Sequence, residues 1–167
     1  MWYVIQVKTG DENKIITLCK RSLMKESEEV FTPTRVITKR IKGIDMSVET
    51  LLFPGYCFFI TEDIEDLFFR LKAVKELTKI LRMGDDFVPL TSKEETFISR
   101  LSGRNHRVEA STGYIEGDRV IITNGPIKGL EGLITKINRH KKCAVLKTEL
   151  FGRSSEITVG LEIVGKR

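Results

Sequence analysis

The chain has 167 residues, of which 41 % are hydrophobic and 31 % are charged, a balance typical of a folded globular protein. No stretch approaches the ~20 apolar residues that a membrane helix needs, and the N-terminal Met-Trp-Tyr-Val lacks the pattern of a secretory signal. We therefore expect a cytoplasmic, monomeric protein without membrane contact, long enough for one ordinary domain or two small ones.

The net charge of +5 is unevenly distributed along the chain. Residues 1–102 hold 16 basic and 16 acidic residues, whereas residues 103–167 hold 12 and 7. This asymmetry indicates two units with different partners. Because Lys and Arg neutralise phosphates, the basic C-terminal unit is a candidate for nucleic-acid binding. A solubilising surface is the alternative.

The residues that usually carry catalysis or bind metals form no recognisable pattern. Cys19, Cys57 and Cys143 lie far apart, and none has the spacing of a zinc ligand. They are interpreted as small hydrophobic residues in a reducing cytosol. The sequence also contains no Ser/His/Asp or paired-carboxylate arrangement and no phosphate-binding glycine loop. We expect no metal, no cofactor and no enzymatic activity.

The first hundred residues alternate between predicted strands and helices. A strand over 2–7 precedes an amphipathic helix over 12–25. Residues 31–42 and 48–52 are predicted to form a hairpin that projects Lys39, Arg40 and Lys42. The remaining predicted elements are a strand at 57–60, a helix at 63–71, a strand at 77–81 and a helix from the capping boxes at 91–95 to about residue 101. This order predicts an α+β, ferredoxin-like domain with helices on an antiparallel sheet.

The pattern changes after residue 102. Residues 103–113 are polar and predict a linker. Alternating apolar residues at 119–123, 133–137, 144–150 and 157–163 are separated by turn residues, which predicts a small all-β barrel.

Two groups of motifs resemble the NusG family of transcription factors. The first pairs Trp2-Tyr3-Val4 with Phe53-Pro54-Gly55-Tyr56. The second is Gly117-Asp118-Arg119-Val120, Gly125-Pro126-Ile127-Lys128-Gly129-Leu130-Glu131-Gly132 and Ile134, which resembles a KOW motif whose glycines allow positive φ or a close backbone approach. The later Leu150-Phe151-Gly152-Arg153 also resembles the family. The resemblance implies an N-terminal NGN domain over 1–102, a linker over 103–113 and a KOW (SH3-like) barrel over 114–167.

The resemblance implies that the NGN domain binds the clamp helices of RNA polymerase and bridges toward its gate loop. The positions that match this interface are Tyr3, Phe53, Tyr56 and Ile80, and the candidates Gln6 and Pro54 lie beside them. Tyr3 and Phe53 are interpreted equally well as core residues. Lys8, Lys14 and Arg21 match the side that faces non-template DNA, with an ordinary solvated helix face as the alternative.

Two kinds of partner fit the KOW barrel. The turn at 138–142 concentrates positive charge, which suits an RNA hairpin recognised by shape and phosphates. The candidate RNA-binding residues are Lys128, Lys136, Arg139, His140, Lys141, Lys142, Lys147 and Arg153. The alternative is a protein partner, namely Rho or a ribosomal protein, contacted by Phe151. The N-terminal sequence and the basic barrel are most similar to the specialised LoaP-like paralogs, which implies processive antitermination dependent on a leader RNA.

Overall fold

The computed structural model describes residues 1–73 and 87–166. The chain divides into two compact units, one comprising Met1–Thr32 with Phe53–Glu95 and the other Pro33–Leu52 with Thr96–Arg167. The predicted strand at 77–81, the turn after it and the candidate Ile80 lie outside the described residues.

The described residues of the first unit contain the strands β1 (Trp2–Gln6), β2 (Glu29–Phe31), β5 (Tyr56–Ile60) and β6 (Val88–Pro89) and the helices α1 (Glu12–Ser22) and α2 (Ile64–Lys72). These strands form an antiparallel sheet in the order β2-β5-β1-β6. Both helices pack on one face of this sheet, because their apolar sides join the same core as the strand residues Ile5 and Phe59. Ile15 and Cys19 come from α1 and Leu67 from α2.

The second unit begins with a hairpin of β3 (Thr34–Ile41) and β4 (Ile44–Leu51). Lys42 and Gly43 have φ of 52° and 79°, so both central residues of the turn are left-handed, the geometry favoured in two-residue hairpins. The sequence predicted one strand over 31–42, but Pro33 separates β2 from β3 because proline lacks the ladder donor.

The second unit also contains the strands β8 (Ser111–Glu116), β9 (Arg119–Asn124), β10 (Ile134–Asn138), β11 (Cys143–Leu150) and β12 (Arg153–Lys166). These five strands form a sheet in the order β10-β11-β12-β8-β9. The pairing of β12 with β8 is parallel and the other pairings are antiparallel. This confirms the predicted α+β fold class with a small C-terminal β domain.

The polar segment 103–113 is not free of regular structure. It contains β7 (Arg107–Val108), which pairs in parallel with β3, and the start of β8. Val108, its one large apolar residue, is fully buried. A third helix, α3 (Ser92–Ser102), contains the division between the two compact units. The predicted domain boundaries at 102 and 114 therefore differ from the division by packing, and they stay a prediction.

Candidate nucleic-acid interface

The turn between β10 and β11 presents basic side chains to solvent. Arg139, His140 and Lys141 are exposed. The Asn138 side chain holds the turn, because its Oδ1 accepts a hydrogen bond of 2.8 Å from the backbone N–H of Lys141. Lys142 has a φ of 53°, which is uncommon for a residue with a side chain, and its carbonyl accepts a bond of 2.9 Å from the Leu161 N–H. The turn is thus fixed to β12.

A groove of about 790 Å³ lies between this basic turn and the β3–β4 hairpin, within the second unit. Basic residues from both segments line it, although the sequence places them about a hundred residues apart. The lining residues are Ile37, Thr38, Lys39, Arg40, Asp45, Arg139, His140, Lys141, Lys142, Cys143 and Thr158.

Among the described residues that line this groove, Asp45 is the one carboxylate. Its Oδ1 lies 3.8 Å from Nε of Arg40, and its Oδ2 lies 3.8 Å from Nζ of Lys142. Lys142 also lies 3.7 Å from Glu162 Oε1. Lys142 is therefore held by two carboxylates. Across the described ranges 1–73 and 87–166, Arg139 and Lys141 form no such ion pair.

Arg35 fastens the hairpin to the barrel. Its guanidinium donates from Nη1 to the carbonyl of Thr158 over 2.8 Å and from Nε to Oγ1 of Thr50 over 3.1 Å. Burial lowers the pKa of Arg35. Gly160 allows close approach in the same region, because a Cβ there would lie 2.6 Å from the carbonyl oxygen of Val36. The groove therefore has two fixed walls.

The other four predicted RNA-binding residues are exposed but do not line this groove. Lys128 follows the Gly125 turn, and Lys136 lines a separate, shallower groove of about 470 Å³ beside β9. Lys147 is paired with Glu156 in the β11–β12 register, and Arg153 begins β12. The structure thus brings together Arg139, His140, Lys141 and Lys142, and it adds Lys39 and Arg40 to them.

The glycines of the KOW-like motif differ in what they do. Gly125 has a φ of 111°, and a Cβ on it would lie 2.3 Å from Ser111 Oγ. Gly129 has a φ of 86°. Gly132 has neither a positive φ nor an atom within 4 Å of its would-be Cβ. Gly117, the first glycine of the motif, has a φ of 59°. The expected role is thus confirmed at Gly117, Gly125 and Gly129 and wrong at Gly132.

The residues predicted to contact polymerase lie on two faces of the first unit's sheet. Gln6 and Tyr56 are register partners and share a face with Phe58. Tyr3 is paired with Phe59, so it lies on the face that carries the helices. Gln6 is exposed and Tyr56 is half-buried.

The Phe53-Pro54 segment divides between core and surface. Phe53 is only 8 % exposed, and its ring centroid lies 5.7 Å from that of Phe58. This geometry matches the core interpretation of Phe53. Pro54, next to it, is exposed. Of this segment's two candidates, therefore, only Pro54 is available to a partner without a rearrangement.

Glu12 is a positioning residue that sequence reasoning missed. Although it is only 2 % exposed, its carboxylate accepts hydrogen bonds from the backbone N–H groups of Gly55, over 2.6 Å, and Gly10, over 2.9 Å. Gly55 has a φ of 87°, and its carbonyl oxygen accepts a hydrogen bond of 2.7 Å from the Val7 N–H. Glu12 therefore fixes the turn that carries Pro54. The signal in the sequence was an acidic residue in the first helical turn, two residues after Gly10.

Lys8, Lys14 and Arg21, the residues predicted to face DNA, are all exposed in the first unit. Lys14 and Arg21 both belong to α1, whereas Lys8 precedes it. Lys14 and Arg21 are seven residues apart on α1, about two turns, so their side chains lie on similar sides of the helix.

Phe151 is the first central residue of the two-residue turn between β11 and β12. Its φ is 57° and that of Gly152 is 75°, which is the left-handed pair of a primed hairpin turn. An aromatic residue in this conformation is unusual, since Asn, Asp and Gly are preferred there. Phe151 is half-buried. Strained positions of this kind are often retained for function.

The described residues define a protein of α+β class with a small C-terminal β domain, and basic side chains line a groove in its second unit. The family model for "Transcription termination factor nusG" matches residues 1–99, and that for "KOW motif" matches residues 116–147. The chain therefore belongs to the NusG family of transcription termination and antitermination factors. These homologues are transcription factors and not enzymes, which confirms the expectation of a non-enzymatic protein.

The curated proteins named below are 23 to 24 % identical to this chain. The transcription termination/antitermination protein NusG of Haemophilus influenzae is 24 % identical over 164 residues, covering 93 % of this chain and 88 % of the relative. NusG of Campylobacter jejuni is 23 % identical, covering 95 % and 92 %. NusG of Pseudomonas aeruginosa is 23 % identical, covering 99 % and 97 %. The similarity thus extends over nearly the whole length of both chains.

Among solved structures, one described as "Domain interaction in Thermotoga maritima NusG" is similar in fold. It has a TM-score of 0.50 and 20 % sequence identity, and the match covers 95 % of this chain and 92 % of that one. In the described part of the chain, the helices are all too short or too polar to span a membrane.

Proposed function

We propose that this protein binds RNA polymerase through its N-terminal region and promotes processive antitermination while its KOW barrel contacts a leader RNA hairpin. The observation that carries the RNA part is the exposed turn with Arg139 and Lys141, which form no ion pair with other described residues. Free Arg and Lys side chains are suited to phosphate oxygens. The protein would then be a specialised, LoaP-like paralog that acts in the cytoplasm as a monomer.

In this proposal, the polymerase clamp helices dock on the surface formed by the exposed Gln6 and Pro54 and the half-buried Tyr56. The fixed Gly55 turn supports this, because a preformed surface loses little entropy on binding. Lys8, Lys14 and Arg21 face the non-template DNA, and their exposure supports that role. Residues 1–102, 103–113 and 114–167 act as polymerase-binding domain, linker and RNA-binding domain.

The RNA part is tested by binding of the full chain to structured RNA hairpins across a salt series. Binding should weaken steeply with salt, and the double variant Arg139→Ala, Lys141→Ala should reduce the slope by about 1 to 2, since each neutralised phosphate contributes close to one unit. Arg104→Ala is the matched control, an exposed arginine of the same unit outside the groove. Equal slopes for the double variant and the wild type would reject RNA contact by this turn.

A second candidate function is that of a general elongation or termination factor whose barrel binds Rho or a ribosomal protein. The strained, half-buried Phe151 favours it, because an aromatic residue is retained where Asn would relieve the backbone. Pull-down of Rho and of ribosomal proteins by wild type and Phe151→Asn separates the two functions. This alternative would be favoured if the wild type retained Rho or a ribosomal protein, Phe151→Asn did not, and the wild type did not bind hairpin RNA.

A further inference from the structure

We infer that the groove between the β3–β4 hairpin and the β10–β11 turn holds an unpaired nucleotide of the bound RNA. This inference rests on the proposed RNA contact and specifies which part of the RNA is recognised. The volume of about 790 Å³ is that of a site for a small molecule and is far too small for a double helix. An extruded loop or bulge nucleotide fits such a space.

The walls of the groove match the chemistry of a nucleotide. Lys39 and Arg40 on one side and Arg139 and Lys141 on the other provide cationic groups for phosphates. Lys39, Arg40, Arg139 and Lys141 are exposed at the rim, so they can reach the backbone of an RNA strand that enters the groove.

The interior of the groove is less polar than its rim. Ile37 and Cys143 are half-buried and offer apolar contact to a base, while the hydroxyls of Thr38 and Thr158 are available to hydrogen-bond its edge. His140 also lines the groove, and an imidazole ring is one of the planar groups on which unstacked bases pack. Sequence-specific RNA recognition generally targets such unpaired bases.

The groove is preformed, which favours specific binding. Arg35 links the hairpin wall to Thr158, and the Lys142 carbonyl links the turn wall to Leu161. A nucleotide entering the groove therefore meets walls that are already in position.

Alkylation of Cys143 by N-ethylmaleimide tests the inference. Cys143 lines the groove and is partly exposed, whereas Cys19 and Cys57 are buried. Burial also raises the pKa of both buried thiols to about 12, so they react slowly. The full chain is labelled alone, with an RNA stem closed by a loop of randomised sequence, and with the same stem as a blunt duplex.

We expect the looped RNA at ten times its dissociation constant to slow labelling of Cys143 by about tenfold, as mass action requires for an occupied site. The blunt duplex, at a concentration with equal occupancy, should leave the rate unchanged. Lys39→Ala with Arg40→Ala should weaken binding of the looped RNA more than that of the blunt duplex. Lys42→Ala is the control, since it lies on the same hairpin but does not line the groove.

Binding of both RNAs with equal affinity and no protection of Cys143 would overturn this inference and leave the proposed RNA contact standing. Failure of both RNAs to bind would overturn the proposed RNA contact itself. Far-ultraviolet circular dichroism of each variant verifies that it is folded.

Discussion

The carboxylate of Asp45, on the β3–β4 hairpin, lies 3.8 Å from the ammonium group of Lys142, on the β10–β11 turn. This ion pair places a negative charge in a groove otherwise lined by cationic and neutral groups. A phosphate that enters the groove is repelled by Asp45 and competes with it for Lys142. Asp45 is therefore expected to limit RNA affinity.

Asp45→Asn should increase the affinity for hairpin RNA by about two- to fivefold at low salt, the range expected for one exposed charge pair. The gain should shrink as salt is added, because added ions screen exposed charges. Fluorescence anisotropy with labelled RNA measures it. Asp118→Asn removes an equivalent exposed charge outside the groove and should have a smaller effect. Equal gains in RNA affinity from Asp45→Asn and Asp118→Asn would show that the gain depends on net charge and not on the groove.

Gly125→Ala should destabilise the second unit by about 3 kcal/mol, the sum of a left-handed backbone and a steric clash with Ser111. Gly132→Ala should leave the free energy of unfolding unchanged or raise it by up to about 1 kcal/mol, because its site is open and its φ is ordinary. Chemical denaturation of the two variants makes the comparison. Similar losses at the two positions would contradict the structural distinction.

Glu12→Gln should destabilise the first unit by about 2 kcal/mol. The Gln side chain replaces one carboxylate oxygen by an NH2 group, so one of the two backbone N–H groups that Glu12 accepts from, those of Gly10 and Gly55, would face a donor. Loosening of the Gly55 turn should also weaken binding to RNA polymerase under conditions where the variant is folded. Asp11→Asn is the matched control, as its side chain forms no cap bond to α1. An unchanged affinity of Glu12→Gln for RNA polymerase would show that Glu12 does not position the polymerase-binding surface.

The ion pair of Glu28 with Arg70 predicts a loss of stability in acid. Glu28 Oε1 lies 2.6 Å from Arg70 Nη2, and Glu28 is nearly buried. Burial alone raises the pKa of Glu28, but the hydrogen bonds from Arg70, the Lys25 N–H and Thr61 outweigh it and lower the pKa below its ordinary 4.5.

The stabilisation from Glu28 is complete above its unfolded pKa and disappears as the pH falls through the lower folded pKa. Unfolding free energies measured at descending pH should therefore fall below about pH 4.5. Glu28→Gln should reduce this dependence, although the variant is less stable at neutral pH. An identical pH dependence in the two proteins would show that Glu28 is not responsible.

Much of the fold follows from local sequence. The barrel strands were predictable because period-two alternation and turn residues act over a few neighbours. The turn at Asn138 was recognisable for the same reason, and its charges pointed correctly to an exposed surface. The end of β2 was missed because the strand pattern continues through Thr32-Pro33, although Pro33 interrupts the ladder.

The groove was not predictable, because it depends on contacts between distant segments. Periodicity predicts that β3 is a strand but not that it pairs with β7, which lies in a polar stretch. The burial of Glu12 was not predictable for a different reason. Charged residues are rarely buried, so a glutamate at a helix start is normally read as exposed. Only the positions of the Gly10 and Gly55 N–H groups explain its burial.

The most direct test of the central claim is transcription in vitro through an intrinsic terminator placed downstream of a leader RNA hairpin. We predict that the wild-type protein increases readthrough only when the hairpin is present, and that Arg139→Ala with Lys141→Ala abolishes the increase while Arg104→Ala retains it. Readthrough that is equally high without the hairpin, or unaffected by the double variant, would contradict an RNA-dependent antiterminator.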